Sequence, residues 1–118
     1  MKQQARIKNI EFSKPVDLAS LVEYSEGQVV SRTLSQGENL SLTLFAFDKG
    51  EEISTHASTG DAFVYILDGK AEITIGDKPY TLEKGEAIVM PANIPHALLA
   101  IEKFKMILIV VFNPGNLK

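Results

Sequence analysis

The sequence predicts an all-β protein, a sandwich or barrel of antiparallel strands with little helix, and three observations predict it. From Val29 onward the chain repeats one arrangement, a short β-branched or aromatic run closed by a turn signal, which is how consecutive antiparallel strands look in sequence. Signals for helix are nearly absent. In "KAEITIG" the side chains of Ala71, Ile73 and Ile75 fall on one face and those of Glu72 and Thr74 on the other, as expected where one face is core and the other is wet.

Taken in order, "PVDLASLVEY" has an apolar spacing that suits a short helix and a strand equally. Then come "VVSRTLS", "LSLTLFAF", "AFVYIL", "AEITI", "YTL", "AIVM", "HALLAI" and "MILIVVF", which predict about eight strands. The turns between them include "QGEN", "DKGEE", "LDGK", "GDKP" and "EKGE", whose charges belong to solvated loops. Asp68-Gly69 lies between "FVYIL" and "AEITI" and predicts a tight two-residue hairpin, because such turns need positive φ at their central positions. The expected organisation is N-terminal strands over residues 1–39 that pack on the barrel or on a dimer partner, a barrel over 40–112, and a tail over 113–118.

Composition narrows the function classes. A chain of 118 residues fits one domain and buries roughly two-thirds of its unfolded surface. With 0 cysteines there is no disulfide, thiolate metal site or cysteine nucleophile, which fits a reducing cytoplasm. Twelve Lys and Arg against fifteen Asp and Glu give a net charge of -3, with the cations scattered singly, so no nucleic-acid footprint is expected. The N-terminal "MKQQARIKNIEFSK" lacks the apolar centre of a signal peptide, and "MILIVVF" is too short to span a bilayer. No membrane partner and a cytoplasmic location are the expectations.

"FVYIL" and "MILIVVF" are apolar on both faces. A strand with two buried faces in so small a protein must be covered by something outside its own core. A second subunit is the economical cover, so a homodimer is expected, with Tyr65 and the Met106–Phe112 run at its seam.

The chain holds 2 histidines, His56 and His96. Together with the glycines and prolines around them they make the chain resemble the cupin superfamily of small antiparallel jelly-roll barrels. That family's first motif, G-x5-H-x-H-x3,4-E-x6-G, falls on Gly50, His56, Ser58 in place of His, Ala62 in place of Glu, and Gly69. Its second, G-x5-P-x-G-x2-H-x3-N, falls on Gly85, Pro91, Asn93 in place of Gly, His96, and Ala100 in place of Asn. Two of three ligands are thus missing from the first motif, while the single ligand of the second is present. "STHASTGDAFVYILDGKAEITIGD" and "GEAIVMPANIPHALLA" look like the single-domain conserved-barrel cupins, many of which have no assigned reaction, so the resemblance implies a shape more than an activity.

The residues can also be read without the family. Pro91 and Pro95 stiffen the approach to His96, since proline fixes φ and restricts the residue before it. Asn93 stands in for glycine because Asn visits left-handed conformations more readily than most residues. If His96 points inward, so by period two do Leu98 and Ala100, and likewise His56 with Ser58. The expected pocket is an apolar mouth containing His56, Ser58, Ala62, Met90, His96, Leu98 and Ala100, with Met90 equally at home as core filler.

A catalytic metal is normally held by three or more protein ligands, and imidazole suits Zn, Cu, Fe and Ni. His56 and His96 alone make a weak grip. Asp61 would complete a two-His, one-carboxylate set, although strand parity turns it outward if Ala62 points in. Site chemistry therefore leaves room for one divalent transition ion, Zn, Ni, Mn or Fe, or for none. The alternative is a neutral pair hydrogen-bonded to each other or to water. Ser58 has no accompanying base and orienting group to make it a nucleophile.

Three functions remain open. One is a small-molecule binder with at most a loosely held metal, its ligand small and partly hydrophobic. The resemblance also implies a metal-dependent enzyme, an oxygenase or isomerase, using His56, His96 and Asp61 around an ion that acts as Lewis acid or oxygen-binding centre. The third is a non-catalytic interaction protein.

Overall fold

The computed structural model describes residues 6–112. It is an all-β antiparallel barrel of seven strands: β1 Val29–Gln36, β2 Leu40–Phe47, β3 Glu52–His56, β4 Asp61–Ile75, β5 Lys78–Glu83, β6 Ala87–Met90 and β7 His96–Val111. In "PVDLASLVEY" the short-helix alternative is the one found, as a 3-10 helix of 4 residues, Leu18–Leu21, capped by the Asp17 carboxylate accepting from Ala19 N. The expected tail, 113–118, lies outside the described residues.

Strand order explains the shape. The hydrogen-bonded path is β1-β2-β7-β4-β5, with β3 added to β7 and β6 added to β4. β4 and β7 are long, and each serves two sheets. The second half of β7, Phe104–Val111, pairs with β2 on one side and with Asp61–Gly69 of β4 on the other, and β6 extends that sheet through Ala62–Tyr65. The first half of β7 pairs with β3 and with Ala71–Ile75 of β4, which β5 extends. Two sheets therefore face each other across one core, joined by strands that bend from one into the other.

The bend is where the hairpin was expected. "LDGK" does not reverse the chain: β4 runs through it, with register shifts between Ile66 and Asp68 and between Gly69 and Ala71. Gly69 has a φ of 81°, while Asp68 is not among the positive-φ residues, so the two left-handed positions of a tight hairpin turn are not met. A bulge results. "HALLAI" and "MILIVVF" likewise form one strand, β7, and Glu52–His56 makes a strand that the apolar runs did not include.

Alternation sorts the side chains. Ala62, Val64 and Ile66 of β4 point inward with Met106, Leu108 and Val110 of β7 and with Phe47, Phe104, Ile73, Leu82, Leu98 and Ala100 in the main core. Within it Phe47 and Phe104 stack at 4.3 Å between centroids and 16° between planes. A second apolar cluster lies on the outer face of the β1-β2-β7 sheet. There Val22, Leu34, Leu44 and Ala46 are buried beneath and beside Ile10, Leu18, Leu21 and Tyr24. Part of the apolar outer face is thus covered by the chain's own N-terminal segment. Lys105 Nζ donates to the Ala19 carbonyl at 2.6 Å, Tyr24 donates its hydroxyl to Asp68 Oδ2 at 2.5 Å, and both Lys103 and Lys105 lie against the Tyr24 ring. These contacts clamp the segment to β4 and β7. Burial, then the Asp68 hydrogen bond and charge, push the Tyr24 hydroxyl far above the ordinary phenol value, so the clamp keeps its donor at all physiological pH values.

Candidate functional site

His56 ends β3 and His96 begins β7, and the two are directly opposed across the strand pair. Opposed residues bring their side chains together, and here the rings meet edge to face with centroids 4.4 Å apart and Nε2 to Nε2 at 3.2 Å. His56 is exposed, whereas His96 is 3 % exposed. The pair thus joins solvent to the barrel interior. The loop before His96 holds the aim expected of it: Asn93 has a φ of 65°, its amide donates to the Ser58 carbonyl at 2.7 Å, and the Ile94 amide closes the turn on the Pro91 carbonyl at 3.3 Å.

Hydrogen bonding assigns the tautomers. His56 Nδ1 lies 3.0 Å from the Ser54 carbonyl, an oxygen that can only accept, so this nitrogen carries the proton. Neutral His56 then offers a bare Nε2, and His96 donates to it from Nε2–H. His96 Nδ1 is left as a bare acceptor, buried and without a hydrogen-bond partner among the described residues. An orphan of this kind costs about 1–3 kcal/mol. Burial and then the neighbouring His56 lower the His96 pKa below the ordinary imidazole value, with the Ile94 backbone working in the opposite direction.

The same geometry suits a metal ion. Two imidazole nitrogens at 2.0–2.1 Å from one ion stand about 3.0 Å apart at a right angle and about 3.4 Å apart at a tetrahedral angle, and the observed 3.2 Å falls between. With Nε2 coordinating, His96 would carry its proton on Nδ1, an atom without a hydrogen-bond partner among the described residues, so the fit rests on the spacing of the two Nε2 atoms. His56 already donates Nδ1–H to the Ser54 carbonyl, the usual arrangement of a histidine ligand. The two histidines therefore fit as ligands.

No third ligand joins them. Among the described residues no group of three His, Asp or Glu side chains is placed to hold a metal. Asp61, expected as a third ligand, is exposed and accepts from the Ala92 amide through Oδ1 at 2.8 Å, so its carboxylate secures the loop before His96 instead. Parity decides this, because Ala62 is the inward residue and is buried. Ser58 also departs from its expectation: β3 stops at His56, so strand alternation does not reach it, and its Oγ accepts from Gly60 N at 3.1 Å in a local turn. Ala62, Met90, Leu98 and Ala100 all belong to the buried core. Sequence reasoning missed the Ser54 carbonyl, since no side-chain pattern marks a backbone acceptor.

Residues 43–112 match the family model described as Cupin domain. The chain belongs to the cupin family. Its barrel is similar to the crystal structure of a conserved protein of unknown function from Streptococcus pyogenes, with 49% identity, a TM-score of 0.93, and coverage of 96% of this chain and 99% of that one. A cupin superfamily protein from Desulfitobacterium hafniense is similar at 37% identity and a TM-score of 0.88, over 92% of this chain and 100% of the other. An uncharacterized protein of Streptomyces coelicolor is 30% identical over 76 residues, which is 64% of this chain and 71% of that protein. The cupin motifs thus carry the fold here, while two first-motif ligand positions are occupied by Ser58 and Ala62. Among the described residues no helix is long and apolar enough to cross a membrane.

Proposed function

We propose that this cupin is a small-molecule-binding barrel whose site is the His56–His96 pair, with a divalent metal held weakly by the two imidazoles. The observation that carries the reading is the 3.2 Å approach of the two Nε2 atoms without a third protein ligand among the described residues. Two neutral nitrogens leave most of an ion's coordination sphere to water or to a bound small molecule. Such a ligand would meet the imidazole edges at the solvent-facing end of the pair, where His56 is exposed. The same spacing of the two imidazoles supports the rival reading of a metal-dependent enzyme.

Metal content separates the two. After dialysis, elemental analysis is expected to find well under one ion per chain. Calorimetric titration with Zn, Ni or Mn is expected to show one site with a dissociation constant of roughly 0.1 mM, lost in His56→Ala and in His96→Ala. One ion per chain surviving dialysis would replace this reading with the enzyme. Absence of binding at millimolar metal would remove metal from the site altogether.

A further inference from the structure

We propose that the ligand of this barrel is a small organic carboxylate, held by Lys78 and Tyr80 of β5 on the same inner face as the two histidines. The inference rests on the histidine pair being the site and adds the chemical class of what the pair faces. Strand register carries it. His96 is paired with His56 on one side and with Ile75 on the other, and Ile75 is paired with Lys78. Directly opposed residues share a face, so Lys78, Ile75, His96 and His56 form one row across β5, β4, β7 and β3. Tyr80, Ile73, Leu98 and Ile53 form the next row, and Leu82, Ala71 and Ala100 the one after. Ile73, Leu98 and the whole third row lie in the main core, with Ile75 and Ile53 packed against it. The rows therefore belong to the inner face.

Two positions on that face are nevertheless wet. Ile73 is 0% and Leu98 3% exposed, whereas Tyr80, in the same row, is 37% exposed, and Lys78 is exposed as well. β5 ends the hydrogen-bonded path, so among the described residues no further strand closes the barrel over these side chains. Gly76 and Asp77 join Ile75 to Lys78 in a hairpin, and the Gly76 amide donates to the Pro95 carbonyl at 2.7 Å, which ties the start of β5 to the loop that aims His96. Two strand spacings, about 10 Å, separate the backbones of Lys78 and His96, a gap that the lysine side chain and a small molecule fill together.

Charge selects the ligand. Lys78 is the single Lys, Arg, Asp or Glu in the three rows, while Glu52, Glu72 and Glu83 occupy the opposite face of the same strands. The salt bridges among the described residues join Lys14 to Glu11 and Lys70 to Glu83, so no described carboxylate is paired with Lys78. A chain of net charge -3 that turns its carboxylates away from this face and a cation into it favours an anion there. The ammonium makes a charge-assisted hydrogen bond to a carboxylate, and the Tyr80 ring offers an apolar flank ending in a hydroxyl. One point charge without an arginine fork matches a monoanion better than a phosphate dianion.

The probes are benzoate, its uncharged counterpart benzamide, and phenyl phosphate, each titrated to about 20 mM into metal-free ¹⁵N-labelled protein and followed by backbone amide shifts. Benzoate is expected to shift Gly76, Lys78, Tyr80 and His96 saturably, with a dissociation constant of roughly 1 mM, and to bind about tenfold more tightly than either of the others. Lys78→Gln, at an exposed position that leaves the core intact, is expected to erase the preference over benzamide. Lys70→Gln, on the outer face, is expected to keep it. Equal binding of benzoate and benzamide, a preference that survives Lys78→Gln, or no benzoate shifts at the highest concentration overturns the inference. Tighter binding of phenyl phosphate overturns it too, since the site would then be built for a phosphate. Zn titrated separately into the parent reads the histidine pair by itself. Zn binding without selectivity for benzoate sinks this inference and leaves the paired site standing, whereas selectivity for benzoate without Zn binding supports the carboxylate site and removes the metal.

Discussion

Val110→Lys is expected to abolish cooperative folding, while Ile109→Lys, one residue away, leaves the barrel intact. Val110 is 8 % exposed and packs in the main core with Ala62 and Phe112 nearby in the same cluster, whereas Ile109 is half-buried on the outer face, paired between Leu42 and Phe63. An ammonium forced into the core loses its hydration without gaining a partner, a cost of about 4 kcal/mol or higher. That is a large share of the 5–15 kcal/mol that holds a typical domain together. The neighbouring lysine can lay its stem on the half-buried outer face and carry its ammonium to water, so it removes apolar contact surface alone. Thermal unfolding followed by circular dichroism checks both. A Val110→Lys variant that unfolds as cooperatively as Ile109→Lys would reverse the inward and outward assignment of β7.

Gly69→Ala is expected to cost about 4 kcal/mol, far above the usual price of a glycine-to-alanine change. A Cβ built on Gly69 would stand 1.7 Å from the Lys103 carbonyl oxygen and 2.7 Å from Phe104 Cα. Both are backbone atoms of β7 and cannot swing away. The residue also has a φ of 81°, which adds about 1–2 kcal/mol for any residue with a Cβ. Gly50→Ala is the matched comparison: its φ is 86° but nothing lies within 4 Å, so it should show the dihedral cost alone. Urea unfolding of the pair measures the difference. Equal losses would mean that the bulge between the two sheets yields to a methyl group.

That glycine also shows where local sequence reasoning stops. Asp-Gly between two apolar runs is a hairpin signal, yet both arms of β4 pair with one continuous partner, β7. A strand already committed to that partner bends at Gly69 and does not fold back on itself, and no local pattern announces a partner that lies thirty residues further on in the chain. Alternation, by contrast, is local and was legible. It places Tyr65 outside and Leu98 and Ala100 inside, as observed. The approach to His96 was legible for the same reason, since proline and Asn93 act through their own dihedrals. Opposition of His56 and His96 was visible as two motif positions. The Ser54 carbonyl that orients His56 was not, because every residue offers a carbonyl and geometry alone selects one. Asp61 illustrates the converse: a carboxylate near a motif position reads as a ligand, but a free loop amide, Ala92 N, claims it.

The paired imidazoles are tested most directly by a long-range proton–nitrogen NMR spectrum of uniformly ¹⁵N-labelled protein, in which the 2 histidines give the only imidazole signals. At neutral pH His56 is expected as the Nδ1–H tautomer and His96 as the Nε2–H tautomer, fixed by Ser54 and by His56 Nε2. His96 is expected to protonate below the ordinary imidazole value, because burial and the neighbouring His56 both disfavour its charge. Added Zn should convert His96 to the Nδ1–H form and leave the His56 tautomer unchanged. Two rings that both average freely between tautomers and ignore Zn, with His96 protonating at or above the ordinary imidazole value, would contradict the pairing on which the proposed site depends.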